Sequence, residues 1–186
     1  MDIDAYLTRI GYSGGREPNL QTLQGMYHAH FFSVPFENLD IHTGRTIEVD
    51  EAVNFDKIVT RRRGGFCLEL TGLFVRALRQ LGFEVDILAA RVLRDGQLGQ
   101  PFSHMTSIVH LDEPWIADVG FSGRIAMPLR LHDRSQQIAG DRSHVLDHDG
   151  DHWFLTAYEP GVDPAVYVFT LQPRQFEEFR GVCQWL

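Results

Sequence analysis

The stretch Arg61–Gly72, which reads RRRGGFCLELTG, places one cysteine directly after a Gly-Gly-Phe segment. From Leu70 to Leu81 apolar residues recur every three or four positions, and Gly82 ends the run, which predicts an amphipathic helix that begins near Cys67. A thiol at a helix N-terminus faces unpaired N–H groups and the positive end of the helix dipole, and both favour the nucleophilic thiolate. The glycines would let the backbone approach a substrate, and the N–H groups could hold an oxyanion.

Four roles remain open for the Cys67 thiol: apolar filler, metal ligand, half of a disulfide, or nucleophile. Free cysteines are often simply buried. The other cysteine, Cys183, is far away in sequence and on an apolar helix face with Phe176, Phe179 and Trp185 nearby, where a structural role is expected. No second cysteine stands at zinc-site spacing, so a structural zinc site and a disulfide framework are both disfavoured. We expect no metal site.

The composition is that of a globular protein of one large domain or two small ones. The chain has 186 residues, of which 44% are hydrophobic and 23% charged, enough to bury a core. Its net charge of −8 argues against non-specific nucleic-acid binding. The N-terminus lacks a signal-peptide pattern, and no apolar run approaches the roughly 18 residues that a membrane span requires. These features predict a reducing, cytoplasmic setting with both thiols free.

The first part of the chain is predicted to be helical. Asp2 or Asp4 can cap a helix that ends at Gly11, Asn19 can cap a second that ends before Pro35, and Asp50 can cap a third. The segment SVPFENLDIHTG between the second and third is predicted to be a loop. The side chains predicted to face the core are Ile3, Tyr6, Leu7, Ile10, Leu20, Leu23, Met26, Tyr27, Phe31, Val53, Ile58 and Val59.

After Gly82 the pattern changes to short β-rich runs separated by turn residues: FEVDILAARVLR, HMTSIVHL, WIADVGF, HWFLTAYEP and AVYVFTL. Hairpin turns are predicted at DEP (112–114) and DHDGD (147–151). The sequence thus predicts an α+β fold, with a helical bundle at 1–82, an antiparallel β-barrel-like domain at 83–172, and a final helix that Pro173 opens.

That final helix, 173–186, has no cap and no polar tail. Two explanations stay open for it. The sequence is a fragment of a longer chain, or the exposed helix docks onto another surface, including self-association with a second copy.

A thiolate nucleophile needs a base and a group that orients the base. His104 opens the run HMTSIVHL, where its side chain can face a cleft. Asp118 stands in the apolar run WIADVGF, and a buried aspartate is costly without a partner. The short connection between the two runs makes a cross-strand His104–Asp118 pair feasible. The order Cys, His, Asp is that of papain-like enzymes.

Two further motifs have ordinary explanations. HVLDHDGDH spaces His144, His148 and His152 four apart, but it fails the EF-hand pattern, and a solvated turn is expected there. VGFSG, at 119–123, is either a strand-end turn or a backbone cradle for phosphate made of exposed N–H groups.

Three stretches, VPFENLDI, RRRGGFCLELTGL and WIADVGFSG, resemble the arylamine N-acetyltransferase family in order and spacing, over essentially the whole chain. The resemblance implies a papain-like cysteine-transferase architecture with Cys67 as nucleophile, His104 as base and Asp118 as orienting acid. It implies ping-pong transfer of acetyl from acetyl-CoA, a cosubstrate rather than a bound cofactor, to aromatic amines or hydrazines. The positions matching the acceptor pocket are Phe36, Val92 and Phe121, and those matching the CoA-proximal loop are Gly120, Ser122 and Gly123.

The sequence departs from the family at several positions. Leu68 stands where an aromatic residue is common, Thr71 replaces a frequent Asn, and Ser122 replaces a frequent Gly in the CoA-proximal loop. The family normally continues into a third domain that covers the cleft, so residues 173–186 correspond to the start of an interdomain helix. An uncovered site would admit water, and hydrolysis of thioesters or esters by the same Cys-His-Asp group is the alternative activity.

Overall fold

The computed structural model describes residues 1–183, in which helices precede a nine-stranded antiparallel sheet. The helices are α1 Ile3–Ile10, α2 Leu20–Ser33, α3 Leu39–His42, α4 Glu51–Phe55 with a π-helical turn Asp56–Thr60, and α5 Cys67–Gln80. The strands are β1 Glu84–Arg94, β2 Gln97–Leu98, β3 His104–His110, β4 Pro114–Ile116, β5 Leu129–Arg130, β6 Gln137–Ala139, β7 Arg142–Asp149, β8 His152–Glu159 and β9 Val162–Arg174. A 3₁₀ turn, Phe176–Phe179, and helix α6, Arg180–Cys183, follow.

The predicted caps set the ends of the first helices. Asp2, rather than Asp4, caps α1, because its carboxylate accepts the Ala5 N–H at 3.0 Å. Asn19 caps α2, and Asp50 caps α4 by accepting the N–H groups of residues 52 and 53. Local side-chain chemistry therefore fixes where these helices begin.

Three helical predictions are wrong. The segment SVPFENLDIHTG contains the short helix α3 instead of being loop throughout. Leu20 and Val53 are 37% and 42% exposed rather than inward. Val53 turns outward because the π-helical turn after α4 adds a residue to the turn and changes the helical phase, which brings Ile58 and Val59 inward instead.

The sheet nearly closes into a barrel. Its strand order is β5-β4-β3-β1-β9-β8-β7-β6, every pair is antiparallel, and β2 pairs with β1 outside this path. At the gap between the end strands, the Gln137 side chain accepts the Arg130 N–H at 2.9 Å and donates to the Arg130 carbonyl at 3.0 Å. A side-chain amide thus replaces backbone pairing there. Helix α5 packs against β1 and β3, which places the start of α5 beside the start of β3.

Both predicted hairpin turns are present, but the strands differ in detail. Residues 111–113 join β3 to β4, and Gly150, with φ 56°, lies in the turn between β7 and β8. Strand β4 ends at Ile116, so Asp118 lies just beyond the strand rather than in it. His144 is fully buried in β7, which corrects the prediction of a solvated turn at that position.

The C-terminal segment begins as strand rather than helix. Strand β9 runs through Pro173 to Arg174, and the 3₁₀ turn begins at Phe176, so the predicted helix start is three residues too early. Phe179 and Cys183 are buried, and the ring of Phe179 packs edge-on against Phe102 at 5.1 Å. The described part of this segment therefore turns its apolar side chains onto its own chain. Trp185, predicted near Cys183, lies outside the described residues.

Candidate active site

The loop that leads into α5 is held against the segment before α3. Phe36 and Gly65 form a parallel β-bridge, in which Gly65 N–H donates to Pro35 O at 3.2 Å and Glu37 N–H donates to Gly65 O at 2.9 Å. A side chain on Gly64 would overlap the Pro35 carbonyl oxygen. Gly64 is thus required by the close approach of the Pro35 backbone, whereas a Cβ on Gly65 would lie 3.2–3.3 Å from side-chain atoms of Glu69, Ile58 and Leu70.

The structure brings Cys67, His104 and Asp118 together. Cys67 is the first residue of α5, and its thiol lies 3.9 Å from the Ser103 carbonyl oxygen. His104, at the start of β3, places Nε2 2.6 Å from Asp118 Oδ2 and lies beside the Cys67 thiol. Because Asp118 engages Nε2, the ring atom left to serve the thiol is Nδ1. The three residues are 4%, 2% and 1% exposed.

The electrostatics of this group favour a charged histidine. Burial alone would lower the pKa of His104, but the charge and hydrogen bond of Asp118, together with the contact to Cys67, raise it from 6.5 to about 10. At neutral pH the imidazole is therefore protonated next to the sulfur. An adjacent imidazolium stabilises a thiolate, which is the form that attacks carbonyl carbon.

Asp118 is held by further groups beside His104. Its Oδ1 accepts the Gly120 N–H at 3.0 Å, and the Tyr167 hydroxyl, which shares a 3.2 Å hydrogen bond with Thr106, lies near its carboxylate. Its backbone carbonyl lies 2.5 Å from the Tyr27 hydroxyl, which ties it to α2. Burial, followed by the Asp118 charge, raises the pKa of both tyrosines well above 10, so both hydroxyls remain donors. The sequence feature that could have indicated this role is a tyrosine on the inward side of a strand, because a buried hydroxyl needs a hydrogen-bond partner.

The three predicted acceptor-site residues occupy two places. The Phe121 ring lies 5.2 Å from His104 and 4.9 Å from Tyr167, and Val92 in β1 pairs with Tyr167 across the sheet. Phe36 instead lines a cavity of about 400 Å³ with Ser122 and Gly123. Phe36 thus belongs with the predicted CoA-proximal loop, whereas Phe121 and Val92 belong with the triad.

In the loop Gly120–Gly123, two backbone N–H groups are already hydrogen-bonded within the chain. The Gly120 N–H is taken by Asp118 and the Ser122 N–H donates to Gly120 O at 2.9 Å, so these two groups do not support the phosphate-cradle hypothesis. A Cβ on Gly120 would lie 2.6 Å from Thr71 Oγ1 and 2.8 Å from the Cys67 carbonyl oxygen. Ser122 has φ 49°, which explains why glycine is frequent there.

The remaining candidate residues have structural surroundings. His144 lies between the carbonyl oxygens of Arg124 and Gln137, at 3.1 and 3.3 Å from its ring nitrogens. The Cys183 thiol donates to Phe179 O at 3.3 Å, and burial raises its pKa to about 11, which makes it a poor nucleophile. Among residues 1–183, no group of three or more His, Cys, Asp or Glu is placed to hold a metal. Within the same range, no helix is both long and apolar enough to cross a membrane.

The fold and site together define a class, an α+β protein with a barrel-like sheet and a Cys-His-Asp group at a helix N-terminus. The profile of a family described as N-acetyltransferase matches residues 19–186. Arylamine N-acetyltransferases from Gallus gallus (pineal gland isozyme NAT-3) and Escherichia coli K12 are each 36% identical, over 97% and 95% of this chain. This chain belongs to the arylamine N-acetyltransferase family, as its motifs predict.

Solved structures agree with this assignment. The Salmonella typhimurium arylamine N-acetyltransferase superposes with a TM-score of 0.89 at 35% identity, over 98% of this chain and 68% of that one. The Mycobacterium marinum enzyme in complex with CoA superposes with a TM-score of 0.90 at 34% identity, over 99% of this chain and 70% of that one. The chain spans 70% of the length of the Gallus gallus relative and 64% of that of the Escherichia coli relative.

Proposed function

We propose that this protein transfers an acetyl group from acetyl-CoA to the nitrogen of an aromatic amine or hydrazine through an acetyl-Cys67 intermediate. The observation that carries the proposal is the 2.6 Å contact between His104 and Asp118 beside a cysteine at a helix N-terminus. The family membership and the CoA complex of the Mycobacterium marinum relative support the choice of acyl donor. The proposal includes a papain-like arrangement of Cys67, His104 and Asp118.

In the first half-reaction the Cys67 thiolate attacks the thioester carbonyl carbon. A new C–S bond forms, the bond to the CoA sulfur breaks, and His104 gives its proton to the departing CoA thiolate. In the second half-reaction the amine nitrogen attacks the acetyl carbon, and neutral His104 takes the amine proton as the C–S bond to Cys67 breaks. The products are CoA and the acetylated amine, and the ion pair is restored. Asp118 keeps the imidazole oriented throughout.

Substrates are assigned to the two places around the triad. The aromatic ring of the acceptor is proposed to contact Phe121 and Val92 beside the triad, since apolar walls suit a flat ring. Phe36, the third predicted acceptor residue, lines the cavity with Ser122 and Gly123 instead. Acetyl-CoA, a cosubstrate rather than a resident cofactor, is proposed to approach along Gly120, Ser122 and Gly123. The division into units 1–82, 83–172 and 173–186, the cytoplasmic location and self-association through the C-terminal segment stay predictions.

The test is CoA release from acetyl-CoA with and without an aromatic amine, in the parent protein, Cys67→Ser and the matched Cys183→Ser. We expect amine-dependent release and formation of the N-acetyl product in the parent and in Cys183→Ser, and neither in Cys67→Ser. Fast release that does not depend on amine would replace the proposal with thioester hydrolysis. Equal activity in Cys67→Ser would exclude the nucleophile altogether.

A further inference from the structure

A buried charge cluster lies directly behind the turn that presents Cys67. Lys57, from the π-helical turn, is only 2% exposed, and its ammonium contacts both Glu69 carboxylate oxygens at 2.9 and 2.7 Å. It also lies 2.7 Å from Asp40 Oδ2. A lysine this deeply buried is uncommon and persists only when its charge is paired.

Glu69 connects this cluster to the nucleophile. It is 3% exposed, and its Oε2 accepts the N–H of Phe66, the residue immediately before Cys67, at 2.8 Å. The carboxylate therefore satisfies one of the N–H groups at the start of α5 that have no partner within the helix, and it holds the backbone that enters the helix. It also places a negative charge at the helix end where the thiolate forms. Such a charge destabilises the thiolate, and so counteracts the stabilisation that the helix dipole and His104 provide.

Lys57 offsets the effect of the Glu69 charge on the thiolate. The Lys57 ammonium contacts both Glu69 oxygens, including the Oε2 that accepts the Phe66 N–H, so Glu69 keeps that hydrogen bond while its charge is paired. Asp40 does not depend on Lys57 alone, because Arg63 contacts its other oxygen at 2.8 Å. Burial raises the pKa of Glu69, and the Lys57 hydrogen bond opposes that rise.

We propose that Lys57 is a positioning residue for the nucleophile, whose ammonium neutralises the buried Glu69 cap so that the cap orders the Cys67 turn without destabilising the thiolate. The relevance of Lys57 to catalysis rests on the proposed function, but the property that Lys57 affects is the charge state of the Cys67 sulfur. The charged or titratable groups around that sulfur are His104 from β3, Asp118 from the loop after β4, Cys183 from α6, and Glu69 with Lys57, Asp40, Glu37 and Arg63 behind it.

The test is the pH dependence of iodoacetamide alkylation at Cys67, followed by mass spectrometry of the Cys67 peptide. We expect Lys57→Met to raise the alkylation midpoint by about one pH unit, and to slow alkylation about tenfold below that midpoint. The double variant Lys57→Met, Glu69→Gln removes both charges and leaves an amide oxygen for Phe66, so its midpoint should return close to that of the parent. A purely structural role of Lys57 would not produce this rescue.

Arg45→Met is the matched control, since Arg45 lies 3.8 Å from the same Asp40 with a side chain that is 67% exposed. It removes an equal charge from the surface, and we expect no shift. An unchanged midpoint in Lys57→Met, or a shift that the double variant keeps, would overturn the proposal. If Lys57→Met does not fold, Glu69→Gln alone decides: the proposal requires its midpoint to fall below that of the parent, and an unchanged or higher midpoint overturns it.

A His104→Ala variant separates this inference from the proposed function. If His104→Ala raises the midpoint and Lys57→Met does not, only the role of Lys57 fails. If His104→Ala leaves the midpoint unchanged, the activated thiolate itself, and with it the proposed function, fails.

Discussion

The Asp118 carboxylate reaches His104 diagonally, from beyond the end of its strand. Strand β4 pairs Ile116 with Ile108, and the Ala117 N–H still donates to Ser107 O at 2.9 Å, so the continued register points toward Thr106. The 2.6 Å bond instead joins Asp118 to His104, two residues closer to the start of β3 than Thr106. It forms because the chain leaves the sheet after Ala117 and is held by the Tyr27 hydroxyl and the Gly120 N–H.

Asp118→Asn should lower kcat/KM for amine acetylation by about 10²- to 10⁴-fold, the usual range for losing an oriented general base. The amide keeps the shape but not the charge, so the pKa of His104 should fall toward and below 6.5. The measurements are the pH–rate profile and an NMR titration of His104. Asp86→Asn is the matched control, because Asp86 forms a 2.9 Å bond to His110 on the half-exposed face of β1 and β3. Equal losses in the two variants would contradict the assigned role of Asp118.

The charge on His104 should make the free energy of unfolding fall as pH rises into the alkaline range. The folded-state pKa of about 10 exceeds the ordinary 6.5, so this stabilisation is fully present below pH 6.5 and is lost as pH rises through about 10. The slope from one proton is at most about 1.4 kcal/mol per pH unit. Urea unfolding from pH 6 to pH 10 should show the parent losing stability faster than His104→Gln.

His30 supplies an internal control of opposite sign for that experiment. Burial, followed by the charge of Arg9, lowers its pKa to about 3. The unfolded chain therefore binds a proton there first, and stability falls as pH drops from 6.5 toward 3. The acid loss of stability should therefore remain in His104→Gln, whereas the alkaline loss should disappear. If His104→Gln shows both losses, another group causes the alkaline loss.

Gly120→Ala should damage the site although the added group is a single methyl. The new Cβ would lie 2.8 Å from the Cys67 carbonyl oxygen and 2.6 Å from Thr71 Oγ1, so either α5 or the Asp118 loop must shift. Overpacking of this kind costs about 1–3 kcal/mol in unfolding free energy. Gly181→Ala, where a Cβ meets nothing within 4 Å, is the control. Thermal unfolding and acetylation rates for both variants check the prediction, which fails if Gly120→Ala matches Gly181→Ala.

Ser122→Gly should stabilise the protein by up to about 1 kcal/mol, because φ 49° is strained for any residue with a Cβ, and part of the gain is offset by the entropy of glycine in the unfolded chain. Ser122→Ala keeps the Cβ and should show no such gain. The measurement is the free energy of urea unfolding, and a gain in Ser122→Ala equal to that in Ser122→Gly would point to the hydroxyl rather than the backbone.

Part of the fold follows from patterns within a few residues. Asp2, Asn19 and Asp50 each cap a helix because the carboxylate or amide reaches an N–H two or three residues ahead. Val53 shows the limit of this reasoning, since a π-helical turn changes the phase that periodicity assumes. Pro173 shows another, since β9 tolerates a proline and continues past it.

The sequence by itself placed Cys67 at the start of a helix and made His104 and Asp118 feasible partners, because helix periodicity, turn chemistry and the cost of burying a lone acid are local properties. The resemblance to the family then assigned their roles. Only the tertiary structure decided that Gly64 makes room for the Pro35 carbonyl, that the Tyr27 hydroxyl holds the Asp118 carbonyl, and that Lys57 contacts Glu69. These contacts join residues far apart in the chain, and their existence depends on the register and packing of whole elements. No local pattern encodes a distance between two such elements.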